Sequence, residues 1–230
     1  MKETIVNNVF FGILISCIAF EIGKIIFKKT QSPIFNPLLI GTILVISILK
    51  FFNISTESYF NGASLITFFL GPATVALALP LYKQWSLFKR YFIPVMTGAI
   101  IGSFVAIISV ISLGKILVID KTLLYSFIPK SITTPIGIEV STMIGGIPSL
   151  TVLSIILTGI TGNVTAPFIC KIFRIKHSVA KGIGIGVASH AVGTTKAMEM
   201  GEIEGSMSAL SIVFAGILTL IWAPILKFLV

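Results

Sequence analysis

Charge is scarce in this chain, and negative charge scarcest: 8 Asp and Glu stand against 17 Lys and Arg in 230 residues, with 11% charged and 55% hydrophobic. A soluble domain of this size cannot hide so much apolar surface, and a mean hydropathy of +1.06 points to a membrane protein. Cysteine is almost missing too. Cys17 and Cys170 lie in or beside apolar segments and match no metal motif, which excludes a disulfide framework and leaves both as packing residues. No metal or cofactor is expected. The stretch "KGIGIG" (181–186) has neither a preceding strand nor Walker spacing, so Gly182 and Gly186 read as a small-residue helix face. No long basic region or small-residue cleavage site precedes the first apolar run, so Val6 to Phe20 reads as a retained span.

What is present is apolar sequence from end to end. The expected class is an all-α polytopic membrane protein, a single integral-membrane domain over 1–230, with about seven or eight segments of roughly 20 residues each. Spans fall near 5–27, 36–52, 60–82, 90–113, 122–146, 149–171, 178–200 and 205–229. The net charge of +9 sits in short loops, where it sets orientation and does not suggest a nucleic-acid partner. Lys24, Lys28 and Lys29, then Lys83, Lys89 and Arg90, then Lys171, Arg174, Lys176 and Lys181 mark three cytoplasmic connections. This arrangement puts Lys115 outside and Lys176 inside. It also requires an odd number of crossings between 122 and 171, so one of two apparent spans must turn back. The better candidate is 122–146, where Pro129 and Pro135 flank Ser131, Thr133 and Thr134 in "IPKSITTPIGIE".

Two other segments are interrupted similarly. "LGPATVALALPLY" places Pro72 and Pro80 around Thr74, and "SHAVGTTKA" holds Ser189, His190, Gly193, Thr194 and Thr195, with Gly193 read as the break. Irregular backbone at membrane depth is tolerated where it is packed in protein or lines a cavity, so three such breaks suggest one internal site. With spans 2–4 and 6–8 of opposite sense, an inverted repeat is a possible arrangement. Helix ends freed inside the membrane present N–H groups with partial positive charge, which suit a small carboxylate. In this reading Thr194 and Thr195 donate to that carboxylate, and Lys196 adds charge. His190, Glu139 or Glu199 would carry a coupled proton. A competing reading makes Lys196 and Glu199 a plain i,i+3 ion pair. Glu202 and Glu204 read as solvated loop acids. Adjacent Ser189 and His190 would diverge by about 100° on a helix, so no catalytic pair, and no enzyme, is expected.

The stretches "LGPATVALALPLYKQ", "PKSITTPIGIEVS", "GGIPSLT" and "SHAVGTTKAMEMGEIEG" resemble the LrgB/CidB family of antiholin-like and holin-like bacterial membrane proteins, related to the plastid glycolate/glycerate translocator. The likeness covers essentially the whole chain. Its motif positions fall on Pro72, Thr74, Ser131, Thr133, Thr134, Glu139, Ser189, His190, Gly193, Thr194 and Glu199; Gly137 stands where the family pattern suggests alanine. The resemblance implies a multi-pass protein of the bacterial plasma membrane. It implies either modulation of murein hydrolase export and lysis with a small LrgA/CidA-type partner, or carriage of small monocarboxylates such as pyruvate or glycolate. Homo-oligomerisation is also expected.

Overall fold

Long apolar runs leave the backbone no partner but itself, and the chain answers with helices. The computed structural model describes residues 8–30, 32, 35, 37–69, 72, 75, 82 and 85–230. It divides into two compact units, Met1–Ala76 and Leu77–Val230. Pro80 and Thr74 of the expected third-span break lie outside the described residues, and Pro72 is exposed.

In the first unit, α1 (Val9–Thr30), α2 (Pro37–Phe51) and α3 (Thr56–Phe68) pack through small residues. Gly12 lies against the backbone of Tyr59 and Ala63, and Gly41 lies 3.3 Å, at an added Cβ, from the Phe20 Cα. Ser16 and Tyr59 share a hydroxyl hydrogen bond of 2.7 Å.

The second unit contains α4 (Trp85–Arg90), α5 (Phe92–Ile116), α6 (Lys121–Phe127), α7 (Thr134–Ile144), α8 (Pro148–Ile172), α9 (Ser178–Met200) and α10 (Glu202–Leu226), ending in a 3-10 turn, Lys227–Leu229. Phe10–Thr30, α5, α8 and Glu202–Leu229 are long and apolar enough to cross a membrane. The other helices of the second unit include two hairpins, as their neighbours reveal.

The first hairpin is α6–α7. Asp120 starts it by accepting from the Thr122 and Leu123 N–H groups at 2.8 and 3.4 Å. These bonds, Thr122's first, hold its exposed carboxyl below the usual carboxylate range. The chain then returns beside itself. Ile147 N–H donates to Ser126 Oγ at 2.7 Å, and an added Cβ on Gly137 would stand 3.6 Å from the Pro129 carbonyl. Thr151, buried on α8, donates to the Ser126 carbonyl at 2.8 Å and contacts Ser141 Oγ at 2.7 Å, stitching the hairpin base to α8. Gly145, at φ 92°, closes α7 in a conformation that favours glycine. The expected turn-back within 122–146 is therefore present.

The second hairpin lies inside α9, and here the expected crossing, a span interrupted at Gly193, is corrected. Gly182 and Gly186 pack on the backbone at Glu204 and Ser208, while Thr194 bonds Ser208 at 2.7 Å and Met198 packs on Gly205. The chain thus runs along α10 twice, once in each direction. One cluster on α8 gathers Ala166 with both Ile185 and Ala197. The reversal occurs at Ser189 (φ −136°, ψ 17°) and His190 (φ 43°, ψ −141°), not at Gly193, which follows it inside the returning helix. Compact glycine packing on both arms outweighs the strain of a left-handed histidine, on the order of 1–2 kcal/mol.

The hairpins enter from opposite ends. Gly114, near the end of α5, meets Leu124 at the base of the first; Gly98, near its start, meets Ile183 in the second. Arms of about 10 Å (α6) and 16 Å (178–188) nearly add up to a hydrocarbon core of about 30 Å, so the tips lie near its middle. Lys115 and Lys176 consequently sit at opposite ends of the unit. Glu204 is a second correction. Because Gly201 is the sole connection, α10 starts at once, and Glu204 is buried against α9 with Lys181 at 3.9 Å; Glu202 is exposed as expected.

Candidate functional site

The two tips converge on the middle of α8. The His190 ring donates through Nε2 to the Ile155 carbonyl at 2.9 Å, and Ile155 also meets Gly137 of the first hairpin. Gly159 and Gly162 leave just enough space for His190 and Ser189; an added Cβ at Gly159 would stand 2.7 Å from His190 Cε1. Small residues on α8 are therefore what let the second tip reach the centre.

Most polar groups of this tip are already engaged. Ser189 donates to the Ile185 carbonyl at 2.8 Å, and Thr194 donates to the His190 carbonyl at 2.8 Å. Thr195 donates to the Val192 carbonyl at 2.7 Å and accepts from Asn163 Nδ2 at 2.9 Å. The Thr194 and Thr195 hydroxyl protons, expected to meet a carboxylate, are thus spent on backbone. Gly193 is buried against Ser189. Ser189 and His190 address different carbonyls, with no hydrogen bond between them.

The first tip is different. Lys130, Ser131, Thr133 and Thr134 follow one another from its turn into α7. Lys130 is half-buried and makes a long hydrogen bond of 3.4 Å to Ser131 Oγ; among the described residues it has no ion pair. Thr133 is 9% exposed, and its hydroxyl is buried without a partner among the described residues. The remaining expected residues lie elsewhere. Glu139 is exposed on α7. Glu199, also exposed, pairs with Lys196 at 2.7 Å, which is the i,i+3 surface pair weighed above.

Two cavities run along the first arm of α9, over Ala180, Gly184 and Ala188. One, about 860 Å³, lies towards α5 and extends from Tyr91 and His177 to Lys130 and Ser131. The other, about 470 Å³, lies towards α8 and extends from Cys170, Ile175 and Lys181 to Lys130 and Ser189. Both start at the end of the unit that carries Lys171, Arg174 and Lys176, and both finish at Lys130. Beyond it, Ile107, Ile111, Ile128, Ile132 and Val140 form a closed apolar cluster. Lys130 escaped the sequence reading because a lysine between proline and serine looks like an interfacial residue. The available signal was a cation inside the suspected break.

A family model described as the LrgB-like family matches residues 16–229. The chain is 38% identical over 217 residues to the uncharacterized protein YxaC of Bacillus subtilis (strain 168), covering 94% of each. It is 36% identical over 216 residues to the antiholin-like protein LrgB of Bacillus cereus (strain B4264), again covering 94% of each, and equally so to that of Bacillus anthracis (strain CDC 684 / NRRL 3495). No solved structure matches.

Proposed function

Since the chain belongs to the LrgB-like family, we propose that it acts in the bacterial cell membrane as an antiholin-like protein and that its molecular work is the controlled passage of a small monocarboxylate. The two halves of this proposal have different support. The names of the relatives favour the antiholin-like role, in which the protein restrains or modulates murein hydrolase export and lysis together with a small LrgA/CidA-type membrane partner. The geometry favours passage of a small anion, and one observation carries it: two hairpins entering from opposite ends bring their tips to the middle, where cavities from one end stop at a cation. Backbone irregularity of this kind is tolerated in membranes where it borders a cavity, and it is the construction used to expose a site to either side in turn. The proposal contains no catalytic step. Oligomeric assembly of several copies is compatible with it.

Proteoliposomes separate the readings. A carrier takes up radiolabelled pyruvate or glycolate to a saturating rate and retains an entrapped dye. A pore that acts only on lysis releases the dye as fast as it passes pyruvate, and that result would sink the carrier half. The antiholin-like half is read in cells: deleting the gene raises the rate of autolysis in detergent, and an unchanged rate speaks against it.

A further inference from the structure

We propose that Lys130, assisted by Ser131, is the anion-binding residue of this protein and that its single charge restricts the site to monoanions. This rests on the small-anion reading above and names the residue and charge class behind it. A lysine at membrane depth is costly to bury and ordinarily pairs with an acid. Among the described residues Lys130 has no such partner, whereas Lys181, the other lysine on these cavities, is within 3.9 Å of Glu204. Lys130 is also the charged side chain common to both cavities, so an anion arriving through either meets the same ammonium. Ser131 lines the larger cavity beside it. It accepts from Lys130 and keeps a hydroxyl proton for a carboxylate or an α-oxygen. At the same tip Thr133 holds a hydroxyl with no partner among the described residues and α7 begins, adding the positive end of an 11-residue helix. One ammonium neutralises one carboxylate. Among the described residues the other basic groups on these cavities, His177 and Lys181, lie at the far end, Lys181 within 3.9 Å of Glu204, so a second carboxylate close to Lys130 would face apolar lining such as Gly102, Val105, Gly184 and Ala188.

The test is equilibrium binding of radiolabelled pyruvate to the purified full-length protein, with acetate and succinate as competitors at matched ionic strength. Lys130→Gln is expected to weaken pyruvate binding at least tenfold and Lys130→Arg by no more than about threefold. Succinate should compete at least tenfold less well than acetate. Undiminished binding by Lys130→Gln, equal competition by succinate, or no pyruvate binding by the wild type each overturns the assignment. If Lys130→Gln gives no monodisperse protein, labelling of wild-type Lys130 by trinitrobenzenesulfonate decides. Pyruvate slowing the labelling severalfold supports the site, and an unchanged rate overturns it. Binding that depends on Lys130 without any uptake in proteoliposomes removes the carrier reading and leaves this site standing; uptake unaffected by Lys130→Gln does the reverse.

Discussion

The hairpin α6–α7 and the hairpin within α9 reach the same depth by opposite means. The first turns through six residues, Ile128 to Thr133, with Pro129 in the turn, and carries at its tip the groups left unsatisfied among the described residues: a lysine without an acid and a threonine hydroxyl without a partner. Its polar stitching is at the base, in Ser126, Ser141 and Thr151. The second turns within two residues and leaves little open, because Ser189, His190, Thr194 and Thr195 each bond a carbonyl. Buried polar groups normally find partners, so spare ones mark where something else binds and engaged ones mark where the fold is fixed. The second tip therefore forms a rigid wall, and the first presents the chemistry.

The sharpest way to break this comparison is topological and all-or-none. Cysteines placed at Lys176 and Glu202, before and after α9, should react with an impermeant maleimide from the same face of the membrane, and one placed at Lys115 from the opposite face. Reaction at 176 and 202 from opposite faces makes α9 a span and removes the second hairpin. Next in size is a matched pair of substitutions. Thr151→Val strands the Ser126 carbonyl and Ser141 at the buried base and should lower stability by about 2 kcal/mol, whereas Thr133→Val replaces a hydroxyl that bonds nothing among the described residues and should be neutral or slightly stabilising. Apparent melting temperatures in detergent measure both, and equal losses would erase the distinction between base and tip. The smallest effect concerns the start of the first hairpin. With its carboxyl held low, Asp120 favours the folded state above the ordinary carboxylate pKa, and that contribution disappears as pH falls through the lowered value. Asp120→Asn should thus melt slightly below the wild type at pH 7, the gap closing only as pH falls below the ordinary carboxylate pKa of about 3.9 and through the lowered one. A gap that persists there assigns the effect to something other than the carboxylate.

The sequence disclosed the first hairpin and concealed the second, for a physical reason. Pro129 and Pro135 announce a break because proline lacks the donor a helix needs, and the loop charges demanded a reversal there. Nothing comparable marks Ser189 and His190. The expected signal was Gly193, but the reversal uses serine and histidine, whose turn preference is weaker than that of glycine or proline, imposed by Gly159 and Gly162 on α8 and by Gly182 and Gly186 against α10. Packing between distant segments cannot be read from one local stretch. Glu204 misled for a related reason: an acid soon after glycine resembles a loop, yet one residue suffices to connect α9 to α10, so it lies in a helix against Lys181. Lys196 and Glu199 followed the simplest i,i+3 rule. Thr74 and Pro80 fall outside the described residues, and with them most of the broken middle member of the first half of the expected inverted repeat.

The apolar cluster of Ile107, Ile111, Ile128, Ile132 and Val140 beyond Lys130 has an energetic meaning. Within this unit a charged solute that follows either cavity from the basic end meets buried branched hydrocarbon past Lys130, a medium in which an ion is strongly disfavoured. Any passage from there to the other end would require those side chains to move apart.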